Sequence, residues 1–398
     1  VPRTTLREIE TIGLSLRNAA RFDVGGTAMT LTLGGDWYRD EQTGTDSTSV
    51  GEDRAGVPNG SSEFAGLFAQ IETEIDRPFG LPGHLIVIPA VRYDEFKSDA
   101  DVSTEESSDT KVSPRFAASY GPVKWLRVFG SYSEGFRAPS INELYLDGVH
   151  FPVPHPILFN PAMGQFVFVN NNFVPNPGLK PETSETLEFG IGVDFTDLLT
   201  DDDHLQGKIS YYKSDVQDLI NLSVDFTYDP TCFAAPAFFP CTAGTTNSAN
   251  VDAAELEGIE AEFAYDANRL YGRVTFASID GTDTVTGADV GALTPDRIAF
   301  DMGVKVPEWR ARFGTRIQVA GDFERRDLNG ASALEIVEVR DGYAVLDLYA
   351  SWRPGFTDGL RFDAGVENVF DEDYERVFAG VSEPGRNFKI AASWQFGR

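Results

Sequence analysis

The 398 residues are 41% hydrophobic and 12% aromatic, enough apolar side chain for a large core or a large lipid-facing wall. No run of 18 or more apolar residues occurs, which excludes a membrane-spanning helix. A formal charge of −29 excludes nucleic acid as a partner, because a phosphate backbone requires a basic surface.

From the N-terminus onward the chain alternates apolar and polar residues with a period of two, the pattern of half-buried strands. Ile12, Leu14 and Leu16 oppose Gly13, Ser15 and Arg17. Leu187, Phe189, Ile191, Val193 and Phe195 oppose Glu188, Gly190, Gly192 and Asp194. The split recurs at Leu360, Phe362, Ala364 and Val366 against Arg361, Asp363, Gly365 and Glu367, and at Ile390, Ala392, Trp394 and Phe396 against Lys389, Ser393 and Gln395. The polar face is too charged for the inside of a sandwich, where both inner faces must be apolar.

The strands run to about ten residues or more, as tilted membrane strands must. Their connections alternate in length. Short turns at Asp23–Gly26, Gly121–Lys124, Tyr265–Leu270, Val306–Trp309 and Arg353–Gly359 separate long polar loops at 39–62, 95–112, 136–183, 226–250, 281–295 and 324–341. That asymmetry predicts an all-β, antiparallel transmembrane β-barrel with one end of tight turns and one of long loops. Trp37, Tyr38, Trp125, Tyr211, Tyr212, Trp352 and Trp394 suit its interfacial girdles.

About fifteen strands are predicted. An odd number fits a chain that begins, at Val1, partway through a barrel of roughly 22 strands, with an N-terminal plug and the first strands absent. Residues 1–398 would then be the C-terminal portion of that barrel.

The loop between Phe136-Arg137-Ala138-Pro139 and Asn176-Pro177-Gly178-Leu179 holds two of the four histidines, His150 and His155. Prolines at 152, 154 and 156 favour an extended backbone there, with the His155 imidazole projecting outward. Five extended residues span roughly 15 Å, so the two imidazoles are too far apart to meet at one centre. His84 and His204 fall in short turns and read as solvated. Asp201-Asp202-Asp203 lacks the ligand spacing of a calcium loop. Cys232 and Cys241 suggest a disulfide, which by loop entropy would contribute about 2.7 kcal/mol. No nucleophile elbow, phosphate loop or CxxC pair is present, and no enzymatic activity is expected.

Several separated segments resemble signatures of TonB-dependent outer-membrane receptors. They are Gly135-Phe136-Arg137-Ala138-Pro139-Ser140-Ile141-Asn142-Glu143-Leu144-Tyr145, Asn176-Pro177-Gly178-Leu179-Lys180-Pro181-Glu182-Thr183, Val366 to Tyr374, and Pro384-Gly385-Arg386-Asn387-Phe388. With His150 followed by Phe151 between the first two, and with the Cys232–Cys241 loop, the chain looks most similar to the haem and haemoglobin receptors of that family. Gly178 departs from the family's usual Asn, and two residues follow the terminal aromatic Phe396.

The resemblance implies a receptor in the bacterial outer membrane, monomeric among lipid and lipopolysaccharide, with its long loops extracellular. It would be energised through the TonB complex and take haem, free or from a haemoprotein, as transported ligand with no permanent cofactor. His150 is then the first candidate for haem iron. His155, Tyr145 and Arg137 are further haem contacts, Arg137 through a propionate. The other expectation for Arg137 is a salt bridge to Glu134 or Glu143. A ferric-siderophore receptor of the same fold, and a passive pore or surface adhesin, are the competing functions.

Overall fold

The computed structural model describes residues 4–47, 56–227, 242–291, 293–329, 333–357, 359–377 and 379–396. Strands β1 (Thr5–Val24), β2 (Thr27–Asp46), β3 (Gly60–Asp76), β4 (His84–Ala100), β5 (Ser107–Val123) and β6 (Leu126–Arg137) pair in succession, each antiparallel to the one before. The chain then leaves the wall to form helix α1 (Ile141–Tyr145) and a hairpin of β7 (Gly148–Asn160) with β8 (Gln165–Phe173). It returns as β9 (Glu182–Thr196), which pairs directly with β6.

The wall continues through β10 (His204–Val224), β11 (Thr242–Asp266), β12 (Leu270–Asp283), β13 (Arg297–Val306) and β14 (Ala311–Ala320). A second excursion, the hairpin β15 (Phe323–Asn329) and β16 (Ala333–Arg340), precedes β17 (Tyr343–Trp352), β18 (Leu360–Glu367) and β19 (Asn387–Trp394). Setting the two excursion hairpins aside, fifteen of the nineteen strands among the described residues build the wall, the number the alternation predicts. No ladder joins β1 to β19 among the described residues, so the wall is an open arc.

Two of the segments read as loops from sequence carry structure of their own, α1 with β7 and β8 in 136–183 and β15 with β16 in 324–341. The others are shorter than expected, because β2, β3, β4, β5, β11 and β12 run into them. β10 spans 21 residues and β11 spans 25, whereas about 9–11 cross a hydrocarbon core. The wall therefore stands well beyond an apolar band at its long-loop end. At the other end Val24 and Thr27 close β1 onto β2 through Gly25 and Gly26, both at positive φ, as the tight hairpin turn with right-handed twist requires.

The two faces divide as the alternation predicts. Leu14, Leu16, Leu67, Phe189 and Ile390 stand exposed on the outer face, Leu16 at 76% and Ile390 at 87%. The inner face carries paired charges. Arg92 forks onto Asp36 at 2.9 and 3.0 Å and donates to Asp94 at 2.7 Å. Lys208 meets Glu188 at 3.1 Å, and Tyr349 donates to Asp301 at 2.5 Å.

The aromatic girdles need one correction. Trp37 and Tyr38 are consecutive, and successive strand residues face opposite ways. Trp37 faces out, whereas Tyr38 turns inward and stacks on Phe64 with centroids 4.6 Å apart. The same rule turns Tyr212 away from the outward Tyr211. At the short-turn rim Trp125, Trp352 and Trp394 each pair with a phenylalanine, Phe195, Phe362 and Phe396.

The exposed apolar outer face is the one a bilayer covers. Phe189→Arg is expected to destabilise the folded wall by about 2–4 kcal/mol in a bilayer. Lys208→Gln on the inner face, which breaks the exposed pair with Glu188, is expected to cost under about 1 kcal/mol. Denaturant titration in lipid vesicles measures both.

Candidate functional site

The long-loop rim between β6 and β9 is built on one arginine. Arg137, the last residue of β6, sits opposite Glu182, the first of β9. Its Nε and Nη2 each donate to the Glu182 carboxylate at 2.5 Å, while Nη1 and Nη2 reach Glu143 of α1 at 3.0 and 3.1 Å. Of the two partners expected from sequence, Glu143 is met. Glu134 instead lies 3.4 Å from Lys111. Glu182, in the second motif, was not anticipated, although the motif that contains it was.

With three of its nitrogens on carboxylates, Arg137 ties the two motifs together and offers no free fork to a propionate. Charge-assisted pairs of this kind are the stronger hydrogen bonds. They raise the Arg137 pKa further, burial acting against them.

Helix α1 is five residues long and starts with a capping box. The Ser140 hydroxyl accepts from the Glu143 backbone N–H, and the Glu143 carboxylate accepts from the Ser140 backbone N–H. The box turns Leu144 and Tyr145 inward, where they pack with Ala100 and Leu179 into a fully buried cluster. The Tyr145 hydroxyl donates to the Ser98 carbonyl at 2.8 Å, with the Glu105 carbonyl 3.0 Å away, and accepts from the Ser107 N–H. Burial pushes its pKa up. At 0% exposure it is an anchor for the loop and not a ligand contact, which corrects the sequence expectation.

Leu179 brings the second motif into the same cluster. Asn176 donates through its backbone to the Leu144 carbonyl at 2.7 Å and through its side chain to Ser248 in β11 at 2.9 Å.

On this platform the hairpin of β7 and β8 leans against β11, which pairs in parallel with β8 at Thr242–Asn170, Thr245–Asn172 and Thr246–Phe173. His150 occupies a bulge in β7, between the Val149–Asn172 and Phe151–Asn171 pairs. Its half-buried ring lies 4.4 Å from Phe151 and 4.2 Å from Phe173, centroid to centroid, and its Nδ1 is 3.0 Å from Thr246 Oγ1. Thr246 in turn donates to Asn171 Oδ1 at 2.5 Å. Asn171 and Thr246 are both fully buried.

His155 is 1% exposed. The extended backbone expected there exists, as strand β7, but the imidazole turns into the protein and cannot meet a ligand from outside.

Sequence reasoning missed Asn171 and Thr246. The signal was Asn170-Asn171-Asn172 inside a strand-like run, where asparagine is disfavoured unless its side chain has work to do. Gly244 is a second trace of the same junction. Its φ is +76°, and a Cβ there would lie 2.1 Å from the Asp225 carbonyl oxygen.

The remaining candidates lie elsewhere. His84 and His204 sit at the short-turn end, 2.9 Å from Asp76 and 2.7 Å from Asp194. Burial pushes Asp203 up, but the N–H groups of Thr200, Leu198 and Leu199 and the Tyr265 hydroxyl outweigh it and hold the carboxyl at about 2. It is a turn staple. Cys232 and Cys241 lie outside the described residues. Among the described residues no three His, Cys, Asp or Glu side chains gather around a metal position.

The Arg137 junction has an acid limit. Burial pushes Glu143 up, but Arg137 and the Ser140 amide and hydroxyl hold its carboxyl below the usual glutamate value. The folded pKa is the lower one. Its stabilising contribution is therefore complete above the ordinary glutamate range, about 4.3, and is lost as pH falls through the folded value. Arg137→Gln is expected to shrink that acid dependence to the part held by Ser140 and to weaken docking of 138–181 by roughly 1–2 kcal/mol, discounted for the partial exposure of Arg137. Hydrogen exchange at the Leu144 and Leu146 amides, above and below that range, reads both effects.

The architecture has known counterparts. The family model described as TonB dependent receptor-like, beta-barrel matches residues 2–369. The chain is 30% identical over 393 residues to a hemin receptor of Yersinia pestis, covering 98% of this chain and 52% of that protein. It is 28% identical over 397 residues to the heme/hemopexin utilization protein C of Haemophilus influenzae (strain 86-028NP), covering 98% and 51%. Among solved structures, a double mutant of the Serratia marcescens hemophore receptor HasR, in complex with its hemophore HasA and heme, superposes with a TM-score of 0.75. It is 21% identical and covers 98% of this chain and 60% of that one. The copper transporter OprC superposes at 0.70 with 19% identity, covering 99% and 57%. One fold thus serves different cargoes. The chain spans about half the length of the curated relatives it matches. Motifs, alternating wall and family model agree, and the chain belongs to the TonB-dependent receptor β-barrel family.

Proposed function

We propose that this chain is the barrel portion of an outer-membrane receptor for TonB-energised uptake of haem, with His150 as the axial ligand that receives haem iron at the cell surface. Relatives that cover nearly all of it are named as hemin and heme receptors. The observation that carries the reading is the His150 pocket. It holds one half-buried imidazole at the long-loop end, with Phe151 and Phe173 against the ring and, among the described residues, the Thr246 hydroxyl at its Nδ1.

Neutral imidazole is a ligand for haem iron, and aromatic side chains offer the flat apolar surface a porphyrin needs. Phe226 lies 5.9 Å from Phe151 and extends that surface. His155, Tyr145 and Arg137 take no part in this reading, because two are buried and the third is held by carboxylates. The second axial ligand would come from the rest of a receptor about twice this length, as in the relatives. Transport needs no bond-making in the barrel. The inner wall supplies a charged, hydrated route and the TonB complex the work. The long-loop end is then extracellular, and the protein a monomer in a lipid and lipopolysaccharide bilayer.

His150→Ala in the folded protein is expected to remove most hemin binding and to shift the Soret band of the remainder, while the heat-modifiable mobility of the barrel stays unchanged. Wild-type affinity and spectrum in that variant would overturn the reading.

A further inference from the structure

Asn171 fixes the protonation pattern around His150. Its side-chain nitrogen lies 2.9 Å from the carbonyl oxygens of both Asp225 and Ala243, two groups that can only accept. The amide nitrogen must face them, so the amide oxygen faces Thr246. The Thr246 hydroxyl has one proton, and that proton goes to Asn171 Oδ1 at 2.5 Å. Towards His150 the same oxygen can then only accept, and at 3.0 Å it accepts from Nδ1–H. A neutral imidazole carries one N–H, so the lone pair lies on Nε2.

We infer that Asn171 and Thr246 are positioning residues that hold His150 as its Nδ1–H tautomer and present Nε2 as the coordinating atom. This deepens the haem reading and rests on it. Two further observations fit. Phe151 and Phe173 flank the ring and restrict its rotation. Asn171 and Thr246 are both fully buried, so water does not compete for the chain of hydrogen bonds. Histidines that bind metals characteristically anchor the non-ligating N–H in this way, and removing the anchor typically costs 10–100-fold in affinity. Here the anchor spans two elements, β8 and β11, so the ligand is aimed only when the hairpin is docked.

The test uses the full chain labelled with ¹⁵N-histidine in detergent, with the His150 signals identified by their loss in His150→Ala. The expected result in ligand-free protein is the Nδ1–H tautomer, giving way to Nε2–H or a mixture in Thr246→Val. Titrated with hemin, Thr246→Val should bind about 10–100-fold more weakly, and Thr246→Ser, which keeps the hydroxyl, should restore both tautomer and affinity. An Nε2–H tautomer in the wild type would overturn the inference, as would a Thr246→Val protein with the wild-type tautomer and affinity. Should Thr246→Val fail to fold, the wild-type tautomer and the Thr246→Ser variant still decide. The two readings fail separately. Hemin binding lost in His150→Ala but intact in Thr246→Val sinks the relay alone, and hemin binding intact in His150→Ala sinks the haem reading while the tautomer still reports on the relay.

Discussion

Hydrocarbon cannot hydrogen-bond a peptide group, and that constraint orders everything else in this molecule. It makes each membrane-crossing segment a strand with its N–H and C=O groups in a ladder, from the β1–β2 pair to the β18–β19 pair. It makes those strands follow one another in chain order. It also lets the outer side chains be apolar without packing against protein, which is why Leu14, Phe189 and Ile390 stand exposed where a water-soluble fold would bury them. A wall built this way is stiff, and its upper rim is a fixed platform.

The protein core sits on that rim rather than inside the wall. Leu144, Tyr145, Leu179 and Ala100 form a small apolar cluster under the loop that follows β6, and the Arg137–Glu143–Glu182 junction closes over it. The two motifs that bracket the loop are therefore its foundations. They hold the hairpin of β7 and β8 against β11 and leave His150, on a bulge, as the titratable side chain that the hairpin turns toward its half-exposed side. In a fold that serves different cargoes, such foundations are separable from cargo recognition, which is left to what stands on them.

Much of this was legible in the sequence because strand alternation is a direct trace of a two-sided environment. Leu187 to Phe195 and Leu360 to Val366 announce their outer faces without further information. The rim was harder to read. Proline at 152 and 154 argues against a strand, yet β7 is an edge strand, where a missing N–H is tolerated. The bulge at His150 resets the alternation, so no counting from His150 tells which way His155 points. Tyr145 lies in a motif and looks functional, but its hydroxyl is consumed by three backbone groups contributed by β4 and the segment just before and at the start of β5. Asn171 was invisible for a similar reason. Its partners Asp225, Ala243 and Thr246 are 54 to 75 positions away, and the asparagine run in the strand says that a partner exists without saying where.

The side-chain amide of Asn171 also bridges the chain just past β10 and the start of β11, through the carbonyls of Asp225 and Ala243. Fastened in this way, the two strand ends cannot part without also releasing β8, which pairs with β11 at the same place. The three elements that set the imidazole therefore move as one body.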